Sequence, residues 1–287
     1  MSGLHAIGIG EKRRRTLNLA LLVITAIVNF FPIYWLIITP LKPASHILSR
    51  DLGSLFPRIL TLSNYLEILH TEKFLRYLLN STLVATTATL ITILVSTLGG
   101  YSLARLNFPG RRLLGRLILF TYIVPSVLLV VPMFSLFVNF GLQNSYLGLV
   151  LAHITLGIPF SIWMLRGFFM SLPEELEEAA MIDGATRVGA LFRIILPLSA
   201  PGIVAAAMFT FILSWNEYLF ALVFINDDAI RTLPVGIAAT FMSVNMQGIQ
   251  WARLMSASVF SSIPVFLIFL WLQKMLVQGL SAGAVKG

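Results

Sequence analysis

The sequence predicts an all-α membrane protein with six transmembrane helices. Hydrophobic residues make up 57% of its 287 residues, charged residues make up only 11%, and the mean hydropathy is +0.89. This composition is too apolar for a soluble domain of this length. Several segments reach the roughly 20 uncharged residues that are needed to cross a bilayer. Basic residues lie between these segments, as they do beside membrane helices.

The first predicted span follows a basic N-terminus. Residues 1–16 end in a run of basic residues, and residues 17–39 follow without a charge. This apolar run is too long for a secretory signal peptide and no small-residue cleavage site follows it, so we expect a retained helix. Residues 40–76 are polar enough to leave the membrane on the extracytoplasmic side. Residues 62–77 have an amphipathic pattern, which is typical of a surface helix.

Five further spans are predicted within residues 77–272, which form the core of the protein. We expect them at residues 77–104, 117–140, 146–165, 199–224 and 254–272. Loops 171–197 and 225–253 leave the membrane on opposite sides, and residues 273–287 form a C-terminal tail. Thirteen of the twenty basic residues fall on the side that holds both termini and loop 171–197. The positive-inside rule therefore places that side in the cytoplasm.

Loop 171–197 is the only acidic block in a chain whose formal net charge is +8. Ser171 and Glu174 are spaced as a capping box at the start of a helix. Gly184 is placed to end that helix in a left-handed turn, and Thr186 is placed to cap a second helix. Apolar residues recur at helical spacing on the first helix. Anionic lipid repels glutamates, so an acidic helix without a partner is unfavourable at the membrane surface. We therefore interpret the segment as a helix that docks against a protein.

Several kinds of chemistry are excluded by what the sequence lacks. The chain has no cysteine, so cysteine-ligated metals are excluded, and the scattered histidines predict no metal site. It has no G-x-x-x-x-G-K-[ST] motif, so any ATP that drives the protein binds to another polypeptide. No nucleophile and base are paired, so we expect no enzyme activity. Without an aromatic-rich RNA-binding module, the basic charge predicts no nucleic-acid partner.

Glu217 is the only carboxylate inside a predicted span, and such residues usually face a cavity or a partner. Two hypotheses stay open for it. It acts in the translocation path or in gating, together with Trp215 and Asn216, or it is a structural anchor hydrogen-bonded to a neighbouring helix.

The acidic loop resembles the EAA loop of ABC-importer permeases, which reads E-A-A, three residues, G, nine residues, I-x-L-P. The matching residues are Glu178-Ala179-Ala180, Gly184, Ile194, Leu196 and Pro197. Three later segments resemble the carbohydrate branch, the MalG-like permeases: Ser-Trp-Asn-Glu-Tyr at 214–218, Thr-Leu-Pro-Val-Gly at 232–236, and the C-terminal residues 279–287.

This resemblance implies a type I importer permease of the inner membrane, with the MetI-like fold. Its coupling helix is expected to lie on the cytoplasmic side. The implied partners are a second homologous permease, two cytoplasmic ATPases that hold ATP and magnesium, an extracytoplasmic solute-binding protein and a sugar. The chain itself is expected to bind no cofactor. The implied ATPase-docking residues are Glu174, Glu175, Leu176, Glu178, Ala179, Ala180, Asp183 and Gly184.

Loop 225–253 is longer than a connection between two antiparallel spans requires. By the resemblance, its tip contacts the binding protein through Met242, Asn245, Gln247 and Gln250; a lid packed on the bundle is the alternative. The tail residues Lys286 and Gly287 are expected to reach the ATPase. For the whole protein the alternatives are a permease for a related solute such as glycerol phosphate, an ion-coupled secondary carrier and an intramembrane enzyme.

Overall fold

The computed structural model describes residues 3–43, 46–47, 55–57, 59–242 and 250–284. Within these residues the chain is helical almost throughout and contains no β-strand. Four of the described helices are long and apolar enough to cross a membrane, and six spans result if each of two bent helix pairs counts as one. The predicted class, an all-α membrane protein, is confirmed.

The chain divides into two compact units, residues 1–71 with 241–260 and residues 72–240 with 261–287. Its helices, in order, are α1 (Gly3–Ile38), α2 (Ser63–Leu69), α3 (Glu72–Arg105), α4 (Arg111–Ile123), α5 (Ser126–Asn139), α6 (Tyr146–Ser171), α7 (Glu175–Ile182), α8 (Arg187–Ala190), α9 (Leu196–Leu198), α10 (Ala200–Trp215), α11 (Leu219–Phe224), α12 (Leu233–Phe241) and α13 (Trp251–Ala284). A π-helical turn, Leu191–Ile195, connects α8 to α9.

In the first unit, α1 is apolar and exposed along its span, as suits a helix that faces lipid. Asn64 of α2 donates hydrogen bonds to the carbonyl oxygens of Pro40 and Lys42, at 2.7 and 3.1 Å. The buried ammonium of Lys42 lies 4.0 Å from the ring centroid of Trp35. These contacts hold α2 against the end of α1.

The second unit is built around α3, α6 and α10, which approach closely because small residues line their contacts. Gly157 of α6 faces Thr92 of α3 and Thr210 of α10. A Cβ atom at this glycine would lie 3.1 Å from the methyl carbon of Thr210 and 3.2 Å from that of Thr92. Ser161 and Thr210 also share a buried hydrogen bond of 2.9 Å. Small residues and hydroxyl groups are the usual means by which helices associate in lipid.

Two of the predicted spans are interrupted. Residues 117–140 fall in α4 and α5, which are bent by 100° relative to each other. Val124 precedes Pro125 and is extended, with a ψ of 122°, because proline disfavours helical backbone in the residue before it. Residues 199–224 are divided into α10 and α11, and α10 itself meets the preceding helical stretch, 187–198, at 75°.

Candidate functional site

The acidic loop folds into a short helix, a tight turn and a second helical stretch. Glu175, Glu177 and Glu178 lie in the first turn of α7, where the helix dipole favours negative charge. Gly184 has a φ of +89°, the left-handed conformation that glycine adopts without strain. The hydroxyl of Thr186 accepts a hydrogen bond of 3.1 Å from the backbone N–H of Gly189. The predicted turn and the predicted cap of the second helix are both confirmed.

The capping box predicted at Ser171 and Glu174 is wrong. Ser171 is the last residue of α6, and its hydroxyl donates to the carbonyl oxygen of Phe168 at 2.7 Å. Leu172 is extended, with a ψ of 140°, because Pro173 follows it. The extended residue ends α6, so α7 begins only at Glu175 and Glu174 makes no side-chain cap.

Arg105, the last residue of α3, binds the acidic loop. Its Nε lies 3.0 Å from Oε1 of Glu177, its Nη1 lies 3.1 Å from Oε1 of Glu174, and its Nη2 donates to the carbonyl oxygen of Leu172 at 2.7 Å. The hydroxyl of Tyr101 donates to the other oxygen of Glu177 at 3.1 Å. The side chains of Arg105 and Glu177 are 5% and 7% exposed. A buried, fully hydrogen-bonded pair therefore fixes α7 to the end of α3.

Most of the predicted docking residues remain accessible beside this pair. Those exposed in the chain are Glu174, Glu175, Leu176, Glu178, Ala179, Asp183 and Gly184. Ala180 is buried instead, at 7% exposure. Ile182 and Val188 add exposed apolar surface, at 86% and 64%. The loop thus presents an acidic and apolar surface while one face of α7 packs on its own chain.

Glu217 lies at the break between α10 and α11. Its two carboxylate oxygens accept hydrogen bonds from the backbone N–H groups of Phe220, at 2.8 Å, and Ala221, at 3.0 Å. Nε2 of His153 lies 3.3 Å from one of these oxygens. The Nδ1 atom of the same histidine lies 2.6 Å from the hydroxyl of Ser214. Glu217 therefore caps α11 and joins it to α6, which are the contacts expected of a structural anchor.

Glu217 also lines one side of a groove of about 1060 Å³. Residues at the bend around Pro125, residues near Pro159, and Asn216 also line it. Trp215 was predicted to act together with these two residues, but its side chain is buried. Its indole N–H donates to the carbonyl oxygen of Ser261 at 3.1 Å. The structure thus places Asn216 and Glu217 on the groove and Trp215 in helix packing.

Loop 225–253 is described only in part. Met242 is 52% exposed, and Oε1 of Gln250 accepts a hydrogen bond of 3.1 Å from Arg253. Asn245 and Gln247, and the tail residues Lys286 and Gly287, lie outside the described residues.

Sequence reasoning did not identify Arg105 as part of this site. It lies 72 residues from Glu177, and in the sequence it has the pattern of any basic residue that ends a span. Its contacts, rather than its spacing, distinguish it.

A bundle of apolar spans that bears an exposed acidic helix at a turn is an integral membrane protein with a charged surface outside the membrane. The chain belongs to the family of binding-protein-dependent transport system inner membrane components, whose model matches residues 96–282. It is therefore a transmembrane permease subunit of an ABC importer, a multi-pass protein of the inner membrane and not an enzyme. The family indicated by the EAA loop is confirmed.

Relatives match over nearly the whole chain. The trehalose/maltose transport system permease protein MalG of Thermococcus litoralis is 39% identical over 96% of this chain and 99% of its own. The sulfoquinovosyl glycerol transport system permease protein SmoH of Agrobacterium fabrum is 39% identical over 90% of each chain. A solved bacterial ABC transporter involved in alginate import has the same fold, with a TM-score of 0.81, 23% identity and coverage of 92% of this chain and 97% of that one.

Proposed function

We propose that this permease imports a carbohydrate. Together with a second homologous permease it forms the translocation pathway, and two cytoplasmic ATPases that bind ATP and magnesium drive it. An extracytoplasmic binding protein delivers the sugar, and both termini of the chain lie in the cytoplasm. The printed substrates of the relatives, trehalose or maltose and sulfoquinovosyl glycerol, support the substrate class. The excess of basic residues on one side supports the orientation.

The exposed face of α7 is the proposed docking surface for an ATPase. The observation that carries this proposal is the buried contact of Arg105 with Glu177 on the opposite face of the same helix. When the ATPases close, a helix fixed in this way moves α3 with it. Because α3 packs closely against α6 and α10 at Gly157, the displacement passes into the bundle rather than dissipating in a flexible loop.

The groove beside Glu217 is the proposed wall of the sugar pathway. It combines aromatic side chains, Tyr122 and Tyr218, with the polar groups of Thr121, Ser126 and Asn216. Sugars offer apolar ring faces for aromatic packing and hydroxyls for hydrogen bonds, so this mixture suits them. The bend between α4 and α5 forms one side of the groove, and a change in that bend would alter its opening.

The outer loop is proposed to contact the binding protein through its tip, including Met242, Asn245, Gln247 and Gln250. The exposure of Met242 and the polar character of Gln250 support this reading. The tail residues Lys286 and Gly287 are proposed to reach the ATPase. Because the chain has no cysteine, Met242→Cys allows a specific photo-crosslinker to be attached. Capture of the binding protein in the ATP-trapped transporter supports contact, and capture of the partner permease alone supports the lid.

The decisive experiment is uptake by proteoliposomes that contain both permeases, with and without the ATPases and binding protein. Radiolabelled maltose, trehalose, sulfoquinovosyl glycerol and glycerol phosphate are compared. We expect uptake of a sugar only when ATPase, ATP and binding protein are all present. Uptake without the ATPase would make the protein a secondary carrier, and uptake of glycerol phosphate alone would replace the carbohydrate assignment.

A further inference from the structure

The start of α4 carries its charges at the unfavourable end of the helix. Arg111 and Arg112 lie in the first turn, which contains no acidic residue, and the N-cap residue Gly110 supplies no side-chain cap. Cations at a helix N-terminus are opposed by the helix dipole. Arg112 and Arg116 are also four residues apart, where like charges repel. An anion bound at this turn would relieve both effects.

These arginines line one groove of about 1050 Å³ between the start of α4 and the end of α6. α6 contributes Arg166 and Trp163, and no acidic residue is part of the lining. The indole of Trp163 is 50% exposed. The groove therefore brings four guanidinium groups together with the exposed ring of Trp163.

The charges in this groove are not neutralised within the described part of the chain. Arg111 donates to the carbonyl oxygens of Ala104 and Leu106 and to the side-chain oxygen of Asn107, all of which are neutral. The Nε of Arg166 is buried and has no hydrogen-bond partner among the described residues. The ion pairs within the described ranges involve other basic residues. None of the four arginines therefore forms an ion pair with a carboxylate in this part of the chain.

We propose that this groove binds the phosphodiester headgroup of an anionic phospholipid. A guanidinium group matches two phosphate oxygens, and an exposed tryptophan is typical of the boundary between lipid and water. The groove lies at the end of α6 that leads into the acidic loop. Its assignment to the cytoplasmic leaflet, where anionic lipid is concentrated, rests on the orientation in the proposed function.

The test titrates the purified, complete transporter with phosphatidylglycerol and with phosphatidylcholine of the same acyl chains, and counts bound lipid by native mass spectrometry. We expect preferential binding of phosphatidylglycerol. The double variant Arg112→Gln/Arg116→Gln should weaken that binding about thirtyfold, since each arginine near a lipid surface contributes about 1 kcal/mol. Arg112→Lys/Arg116→Lys keeps the charge and should retain part of the preference.

The matched control sets Arg116→Gln beside Arg76→Gln, which removes one exposed arginine from the start of α3, outside the groove, and should leave lipid binding unchanged. Equal binding of the two lipids, or equal loss in the control, overturns the proposal. Binding of inorganic phosphate at lower concentrations than phosphatidylglycerol, lost in Arg112→Gln/Arg116→Gln, assigns the groove to a soluble anion instead. Crosslinking of Arg112→Cys to a partner subunit in every nucleotide state assigns it to a protein contact. Sugar uptake by the unaltered transporter reports separately on the proposed function.

Discussion

Arg105 and Glu177 form a buried ion pair, with 3.0 Å between Nε and Oε1, that joins the end of α3 to α7. Removal of one partner from such a pair leaves an uncompensated buried charge. The pair thus ties α7, the helix that we propose docks the ATPase, to the end of a central membrane helix.

Arg105→Ala should destabilise the protein by about 3 kcal/mol or more, because Glu177 then remains buried without its partner. Thermal unfolding in detergent measures this loss, and ATP-driven uptake should fall at least as strongly. The matched control is Arg76→Ala, which removes an exposed arginine at the other end of α3. The exchange Arg105→Glu/Glu177→Arg should restore part of the uptake. Normal uptake by Arg105→Ala would contradict the relay through α3.

Gly184→Val should leave the spans inserted but weaken attachment of the ATPase. A β-branched side chain is strained at a φ of +89°, at a cost of about 1–3 kcal/mol, so the turn after α7 must change. Co-purification of the ATPase with the permease measures the effect. Gly184→Asn is the control, because asparagine tolerates the left-handed conformation. Full co-purification and normal uptake with valine would show that this turn does not position the docking helix.

Gly157→Leu should disrupt the contact of α6 with α3 and α10. The added side chain meets Thr92 and Thr210 at once, and overpacking of this kind costs about 1–3 kcal/mol. Gly167→Leu is the control on the same helix, because a Cβ atom there meets nothing within 4 Å. Thermal unfolding of both variants decides the point. Equal stability of the two would mean that the three helices do not meet as closely as described.

Glu217→Ala should destabilise the protein by about 1–2 kcal/mol, because two backbone N–H groups of α11 lose their acceptors. Glu217→Gln keeps one acceptor oxygen and should be milder. Thermal unfolding and uptake are measured for both variants. If both retain full stability yet lose uptake, the gating hypothesis replaces the structural anchor.

Stability should fall in acid through Asp228, near the start of loop 225–253. The ammonium of Lys73, 2.8 Å away, and the hydroxyl of Tyr77, 2.7 Å away, hold the pKa of this carboxyl below its ordinary value. A carboxyl whose pKa is lowered by folding contributes stability above its unfolded pKa and loses it as pH falls through the folded pKa. The effect is modest, because Asp228 is 40% exposed.

Thermal unfolding midpoints from neutral to acidic pH measure this contribution. Asp228→Asn should flatten the acid-induced fall, whereas Glu72→Gln, which removes an exposed carboxylate from the start of α3, should leave it in place. An identical acid profile for Asp228→Asn and the unaltered protein would contradict the prediction.

The sequence by itself determined the class of protein and the turn of the acidic loop. Apolar length and the placement of basic residues depend on each segment and its flanks, so they are readable without knowledge of packing. The left-handed Gly184 and the Thr186 cap depend on a few neighbouring residues, and both are present as predicted. The capping box at Ser171 fails for an equally local reason, since Pro173 forces an extended residue between the two helices.

Only the tertiary structure decided which acidic residues stay exposed and which bind their own chain. Glu177 and Glu178 are adjacent in the sequence, yet Glu177 is buried against Arg105 and Glu178 is exposed. In the same way, the carboxylate of Glu217 lies beside the imidazole of His153, which belongs to another helix. This contact could not be predicted from the sequence around Glu217. Such pairs join residues that are far apart along the chain, and their geometry depends on how whole helices pack. The physical reason is that a buried charge selects its partner by distance and desolvation, which the local sequence does not specify.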